Sequence, residues 1–72
     1  MAEAQMTFLS PFHQRLIAEK EVLDDNLGKL SNFLTTEEFF KIANEQQILL
    51  RIQVQAMRTY SQCLTERLGL LQ

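Results

Sequence analysis

Seventy-two residues, 46% of them hydrophobic and 22% charged, make one domain at most, near the size at which a single core is only marginally stabilising. The balance is that of a globular chain and not of a disordered one. A formal net charge of −2 argues against a general binder of DNA or RNA polymers, which needs a basic face, while a small anionic ligand needs only a few local donors.

The single cysteine excludes an internal disulfide. The N-terminus carries no basic region followed by a long apolar run, and an apolar run such as Ile48–Leu50 is far too short to span a bilayer. A soluble, cytoplasmic protein with no membrane partner is the expectation.

Residues 1–9 are weakly helical and predict a short helix or an ordered arm, with Met6, Phe8 and Leu9 available for docking. Ser10-Pro11 is a strong helix start, because serine caps free amides and proline lacks an N–H that the first turn does not need. Leu16, Leu23, Leu27, Leu30 and Leu34 then recur at helical spacing, with Lys20 in the one polar slot of the seam and Ile17, Val22 and Phe33 beside it. The pattern predicts a helix over residues 11–33, about 34 Å long. Gly28 inside it costs about 1 kcal/mol relative to alanine, which points to close approach by a backbone or a ligand.

Thr35 with Glu38 three residues on is a capping-box pattern, predicting a short connecting helix over 36–43 with Phe39 and Phe40 plugging one end of the bundle. Asn44 with Gln47 repeats the signature and opens a last helix over 45–69. That helix carries two apolar stripes. One runs Leu49, Ile52, Ala56, Tyr60, Cys63; the other runs Leu50, Val54, Met57, Leu64, Leu68, Leu71, broken only by Ser61. Two long helices joined by a short bent segment should lie antiparallel in a single domain over residues 1–72. One partner helix covers one stripe. The second stripe therefore calls for other copies of the chain or for another protein.

Catalysis finds little support. His13 is the only histidine and falls in the first turn of a helix; stacking or solvent exposure accounts for it more simply than a catalytic or metal role. The acidic pairs Asp24-Asp25 and Glu37-Glu38 diverge by about 100° per residue on a helix and read as solvated faces. There is no metal-ligand spacing and no glycine-rich phosphate loop. Cys63, on an apolar stripe, reads as a small buried hydrophobe. Two places allow anion binding. The amide end of the first long helix, at Ser10–His13 with Phe12 beside it and Arg15 a turn further, attracts phosphate unless Phe12 is a hydrophobic staple and Arg15 a surface charge. Arg67 continues the Leu49-to-Cys63 stripe and either snorkels outward or meets an anion at an interface.

The first helix thus sets Phe12, Arg15, Glu19, Lys20, Leu23, Asn26, Lys29, Leu30 and Phe33 in register. The last sets Glu45, Gln46, Leu49, Leu50, Gln53, Ala56, Met57, Tyr60, Leu64, Arg67 and Leu68. This pattern, over about residues 11–70, resembles the phage-encoded anti-CBASS cyclic-oligonucleotide sponges, whose helical hairpin is shared with the anti-Thoeris sponges. The run from Glu45 through Tyr60 is its more distinctive half.

The resemblance implies a homohexamer of hairpins in the host cytoplasm that holds cyclic di- or trinucleotides without cutting them and so withholds the signal from antiphage effectors. It implies no enzyme activity and no cofactor. It also carries residue roles. The family's aromatic near the start of the first long helix falls on Phe12, and its arginine near the end of the last helix on Arg67. Its ligand-binding lysine falls on Asn26, its threonine two positions on falls on Gly28, and Lys29 is the nearby cation that remains. With His13 and Arg15 these residues form the expected ligand-binding set, in an all-α antiparallel hairpin. The competing reading is a protein-interaction or assembly adaptor with no nucleotide ligand; a hydrolase of the same messengers lacks an evident base or nucleophile.

Overall fold

The computed structural model describes residues 10–71, so the arm or short helix expected over 1–9 lies outside the described residues. Three helices follow in order: α1 (Pro11–Phe33), α2 (Glu37–Lys41) and α3 (Asn44–Gly69). No strand occurs among the described residues. Partner residues across the long pair run in opposite directions along the chain, Phe12 with Arg67 and Lys20 with Ser61, so α1 and α3 are antiparallel.

The ends of the helices follow from local hydrogen bonding. Ser10 is extended, and its Oγ accepts the His13 N–H at 3.1 Å, with Pro11 in the first turn. At the other end, the Thr35 hydroxyl donates to the Asn32 carbonyl at 2.7 Å, and the Thr35 N–H donates to the same oxygen at 3.0 Å. Both polar groups of Thr35 are thus spent on the last turn of α1. The cap of α2 falls instead to Thr36, whose Oγ1 accepts the Phe39 N–H at 3.4 Å. The expected Thr35–Glu38 box does not form.

Asn44 likewise is not a cap. Ala43 holds the cap position of α3 without a side-chain bond, and Asn44 is the first helical residue. Gln47 reaches back, its Nε2 donating to the carbonyls of Ile42 at 2.9 Å and Phe40 at 3.3 Å. It satisfies the orphan acceptors where α2 ends.

The core is small. Leu16, Leu23 and Leu64 form one cluster with Met57 and Leu68 against it, and Phe39 and Val54 are buried nearer the turn. Phe39 is wholly enclosed: Phe33 meets it edge-on at 5.9 Å, Phe40 at 5.2 Å, and the Arg51 guanidinium lies 4.9 Å over its ring. Phe40, expected to share the plug, is 62% exposed. Adjacent residues on a helix point about 100° apart, so only one of the pair can face inward. Gly28 is exposed, and a Cβ built on it meets nothing within 4 Å. The close approach expected there is absent from the hairpin.

The polar breaks in the two seams meet each other. Lys20 Nζ donates to Asp24 Oδ2 at 2.6 Å and to Ser61 Oγ at 3.3 Å, and Ser61 Oγ donates to Asp24 Oδ1 at 2.5 Å. This closed ring fixes the register of α1 against α3, since a shift of either helix would leave a lysine or a serine against leucine. The bond from Lys20 first, then that from Ser61, holds the Asp24 carboxyl below its ordinary range; partial desolvation opposes this, and the side chain keeps 43% exposure, so solvent screens the effect. A carboxyl depressed in the fold adds stability above its unfolded pKa near ~4, and loses it as pH falls through the folded value.

Two predictions follow from this packing. Phe39→Ala should cost about 3–5 kcal/mol in urea unfolding, while Phe40→Ala should cost less than about 1.5 kcal/mol; equal losses would mean that Phe39 does not anchor the turn. Ser61→Ala should move the Asp24 carboxyl back up toward its ordinary range in an NMR pH titration. An unmoved Asp24 would show that the Ser61 bond does not persist in solution.

Candidate functional site

The hairpin divides its side chains unequally between two sides. The inner stripe of α3 faces α1, with Val54 and Leu64 buried and Leu50, Met57 and Leu68 half-buried. The outer stripe is uncovered: Leu49 is 58% exposed, Ile52 59% and Tyr60 44%, and Ala56 is exposed too. Cys63, expected as a buried hydrophobe, lies exposed on this stripe for the same reason. Among the described residues, none lies over this stripe.

Beside that stripe runs an open groove of about 610 Å³, lined by Arg15, Ala18, Glu19, Val22, Leu23 and Asn26 of α1 and by Tyr60 of α3. Its volume is of the order of small-molecule sites, roughly 300–1,000 Å³. Residues 15, 19, 22 and 26 fall three or four apart, which sets them on one flank of α1. Leu23 is the buried floor, and Tyr60 is the point where the groove meets the outer stripe. The guanidinium of Arg15, the carboxylate of Glu19, the amide of Asn26 and the phenol of Tyr60 make no hydrogen bond or ion pair among the described residues. The groove therefore offers a ring, a cation, an anion and an amide over an apolar floor.

The expected site residues fall in three places. Arg15 and Asn26 share the groove. Phe12 and Arg67 meet at the open end of the hairpin, where the guanidinium lies 5.8 Å over the Phe12 ring and Phe12 stays 48% exposed. His13 is half-buried at the same end. Lys29 stands one turn beyond Asn26, about 25 Å along the axis from Phe12. Its ammonium is 2.9 Å from Asp25, both largely exposed, a contact worth little in water. Gly28 lies on the surface beside it, outside the groove. A single chain joins Phe12 to Arg67 and Arg15 to Asn26, and it does not join Lys29 to either arginine.

The amide end of α1 is a weaker anion site than its sequence promises. Pro11 has no N–H, the His13 N–H goes to Ser10 Oγ, and the Gln14 N–H goes to the Ser10 carbonyl at 2.9 Å. Only the Phe12 amide remains in that turn. The negative end of α3 also lies alongside in the antiparallel pair and opposes the α1 dipole. Arg67, in the last turn of α3, complements that negative end and stacks on Phe12.

Tyr60 was not among the expected ligand residues, because its spacing assigns it to an apolar stripe. The signal was present in the polar positions 15, 19 and 26, which share a flank around Val22 where a core helix would be apolar. Among the described residues, no three His, Cys, Asp or Glu side chains gather to hold a metal ion, and no helix is long and apolar enough to cross a membrane.

The hairpin thus sets a largely apolar groove, rimmed by a few polar side chains, beside an uncovered apolar stripe. The chain belongs to the Sequestin family, whose model matches residues 10–70 and so takes in both long helices and their connection. No curated protein and no solved structure matches it.

Proposed function

We propose that this protein binds cyclic nucleotide second messengers, cyclic di- or trinucleotides, and holds them without cleavage, as a homo-oligomer in the cytoplasm of a phage-infected host. It would thereby block CBASS-type immunity. The observation that carries this reading is the adjacency of the groove and the outer stripe. A second copy laid over the outer stripe would roof the groove where the two meet, at Tyr60. A hexamer, as the sponge resemblance implies, would repeat that junction around a closed ring.

The chemistry needed is binding chemistry. Aromatic rings stack on bases for about 1–3 kcal/mol each, and charge-assisted bonds from arginine or lysine hold phosphates. Lys29 can exchange its weak contact with Asp25 for a phosphate at small cost. No step asks for a nucleophile or a base. Membership of a family named for sequestration fits a protein that retains its ligand. The uncovered stripe equally suits an adaptor seated on a different protein; the unpartnered polar groups in the groove favour the nucleotide reading, because an adaptor face of this kind would leave them unsatisfied.

Ile52→Asp, on the outer stripe, should leave the helical content intact and reduce the particle to the single 8.4 kDa chain in light scattering, whereas Val54→Asp, only 2% exposed, should unfold the hairpin itself. An Ile52→Asp protein of unaltered mass would remove the outer stripe from the interface. Calorimetric titration against a panel of cyclic di- and trinucleotides should give sub-micromolar binding, and heating the complex should release the same ligand intact. Absence of binding across the panel would leave the adaptor reading, and a cleaved ligand would make the protein an enzyme.

A further inference from the structure

Arg15 and Glu19 stand one helical turn apart on the groove flank, with about 5–6 Å between their β-carbons, and carry opposite charges. They do not pair with one another, although Lys20–Asp24 and Asp25–Lys29 on the same helix do. Cation before anion is the less favourable order for such a pair, and Lys20–Asp24, of the same order, has the Ser61 hydroxyl to hold it, whereas Arg15 and Glu19 have no third group between them. Glu19 is an acceptor only, and Arg15 is a donor only.

A ligand complementary to them must present donors to one and acceptors to the other within about a helical turn. Among the common bases guanine does this. Its N1–H and N2–H form a two-donor edge matching the two oxygens of a carboxylate, and its O6 and N7 form the two-acceptor edge that arginine grips bidentately. Adenine would offer the carboxylate only its N6 amine, with its N1 acceptor facing the second oxygen, so one of the two bonds is lost and a repulsion takes its place. Tyr60 on the opposite wall supplies a ring face for any base and no discrimination.

We infer that the groove seats a guanine base, with Tyr60 against its face, Glu19 on its donor edge and Arg15 on its acceptor edge, so that the sequestered messenger is a guanine-containing cyclic nucleotide. This rests on the nucleotide-sequestering reading above. Asn26 and Lys29, further along the same flank, then lie on the side where the sugar–phosphate ring leaves the base.

The test is a comparison of cyclic di-GMP with cyclic di-AMP by calorimetry, on the full chain and on Glu19→Gln. The wild-type protein should prefer cyclic di-GMP by about tenfold or more, and Glu19→Gln should bring the ratio of the two affinities close to one, since its amide offers one acceptor and one donor group. Because Glu19 is exposed and glutamine is a good helix former, the ratio within one preparation is unaffected by any small loss of folded protein. Equal wild-type affinities, or a preference that survives Glu19→Gln, would overturn the guanine assignment and leave sequestration standing. Failure of every cyclic nucleotide of the panel to bind would overturn both.

Discussion

A two-helix hairpin can cover one stripe on each helix, and this chain has written two stripes on α3. Everything else about the molecule is arranged around that mismatch. The inner stripe meets the leucines of α1 and, with Phe39 of α2, gives a core of five buried hydrophobic side chains among the described residues. The outer stripe keeps side chains as large as isoleucine and tyrosine in water, in a rod about 54 Å long and 17 Å wide. Apolar surface of that extent favours association, because removing it from water gains roughly 25 cal/mol per Å². A core this small stabilises the isolated hairpin only modestly, so burying the outer stripe would also add to the stability of the fold.

Alignment of the two helices is the condition for having a groove at all. Hydrophobic seams tolerate sliding, since one leucine replaces another with little change in contact. The Lys20–Asp24–Ser61 ring does not, because its three polar groups satisfy each other in one register only. Phe39 fixes the turn end by filling the space between Phe33 and Arg51. Between these two points Tyr60 is brought level with the flank of α1 that carries Arg15, Glu19 and Asn26. The polar slots that look like defects in the seams are what place the candidate site.

Much of the fold could be read in the residues, because helix periodicity and the Ser10-Pro11 start are local signals with few competitors. The connection was harder. Thr35 and Thr36 both fit a cap pattern, and the choice depends on where α1 stops, which packing decides rather than spacing. Asn44 and Gln47 failed as a box because Gln47 found better acceptors at the end of α2. Gly28 is a different case: no described residue of the hairpin makes the close approach expected there. The site was legible in part. Arg15 and Asn26 belong to the expected set and share a groove, while the spacing of Tyr60 reads as packing because an aromatic on an apolar stripe recurs alike whether it meets a side chain or a base. Phe12 and Arg67 lie 55 residues apart in the sequence, and only the antiparallel fold sets one over the other.

The unpartnered groups in the groove connect assembly to ligand retention. In the single hairpin the Arg15 guanidinium, the Glu19 carboxylate and the Asn26 amide are exposed, so water satisfies them at no cost. Covering the outer stripe with a second copy would narrow the groove and remove part of that water. Each of these groups would then need a partner or carry a desolvation penalty of about 1–3 kcal/mol, more for the charges. A ligand that supplies matching donors and acceptors relieves the penalty, and it does so only in the assembled state. In such an assembly, ligand and association would stabilise one another by the same amount, as linkage requires. An open groove on one chain would release its ligand freely; the same groove closed by a neighbour must break both sets of contacts to do so. Retention without chemistry is what such coupling favours, and it needs no residue beyond those that the hairpin already leaves unpaired.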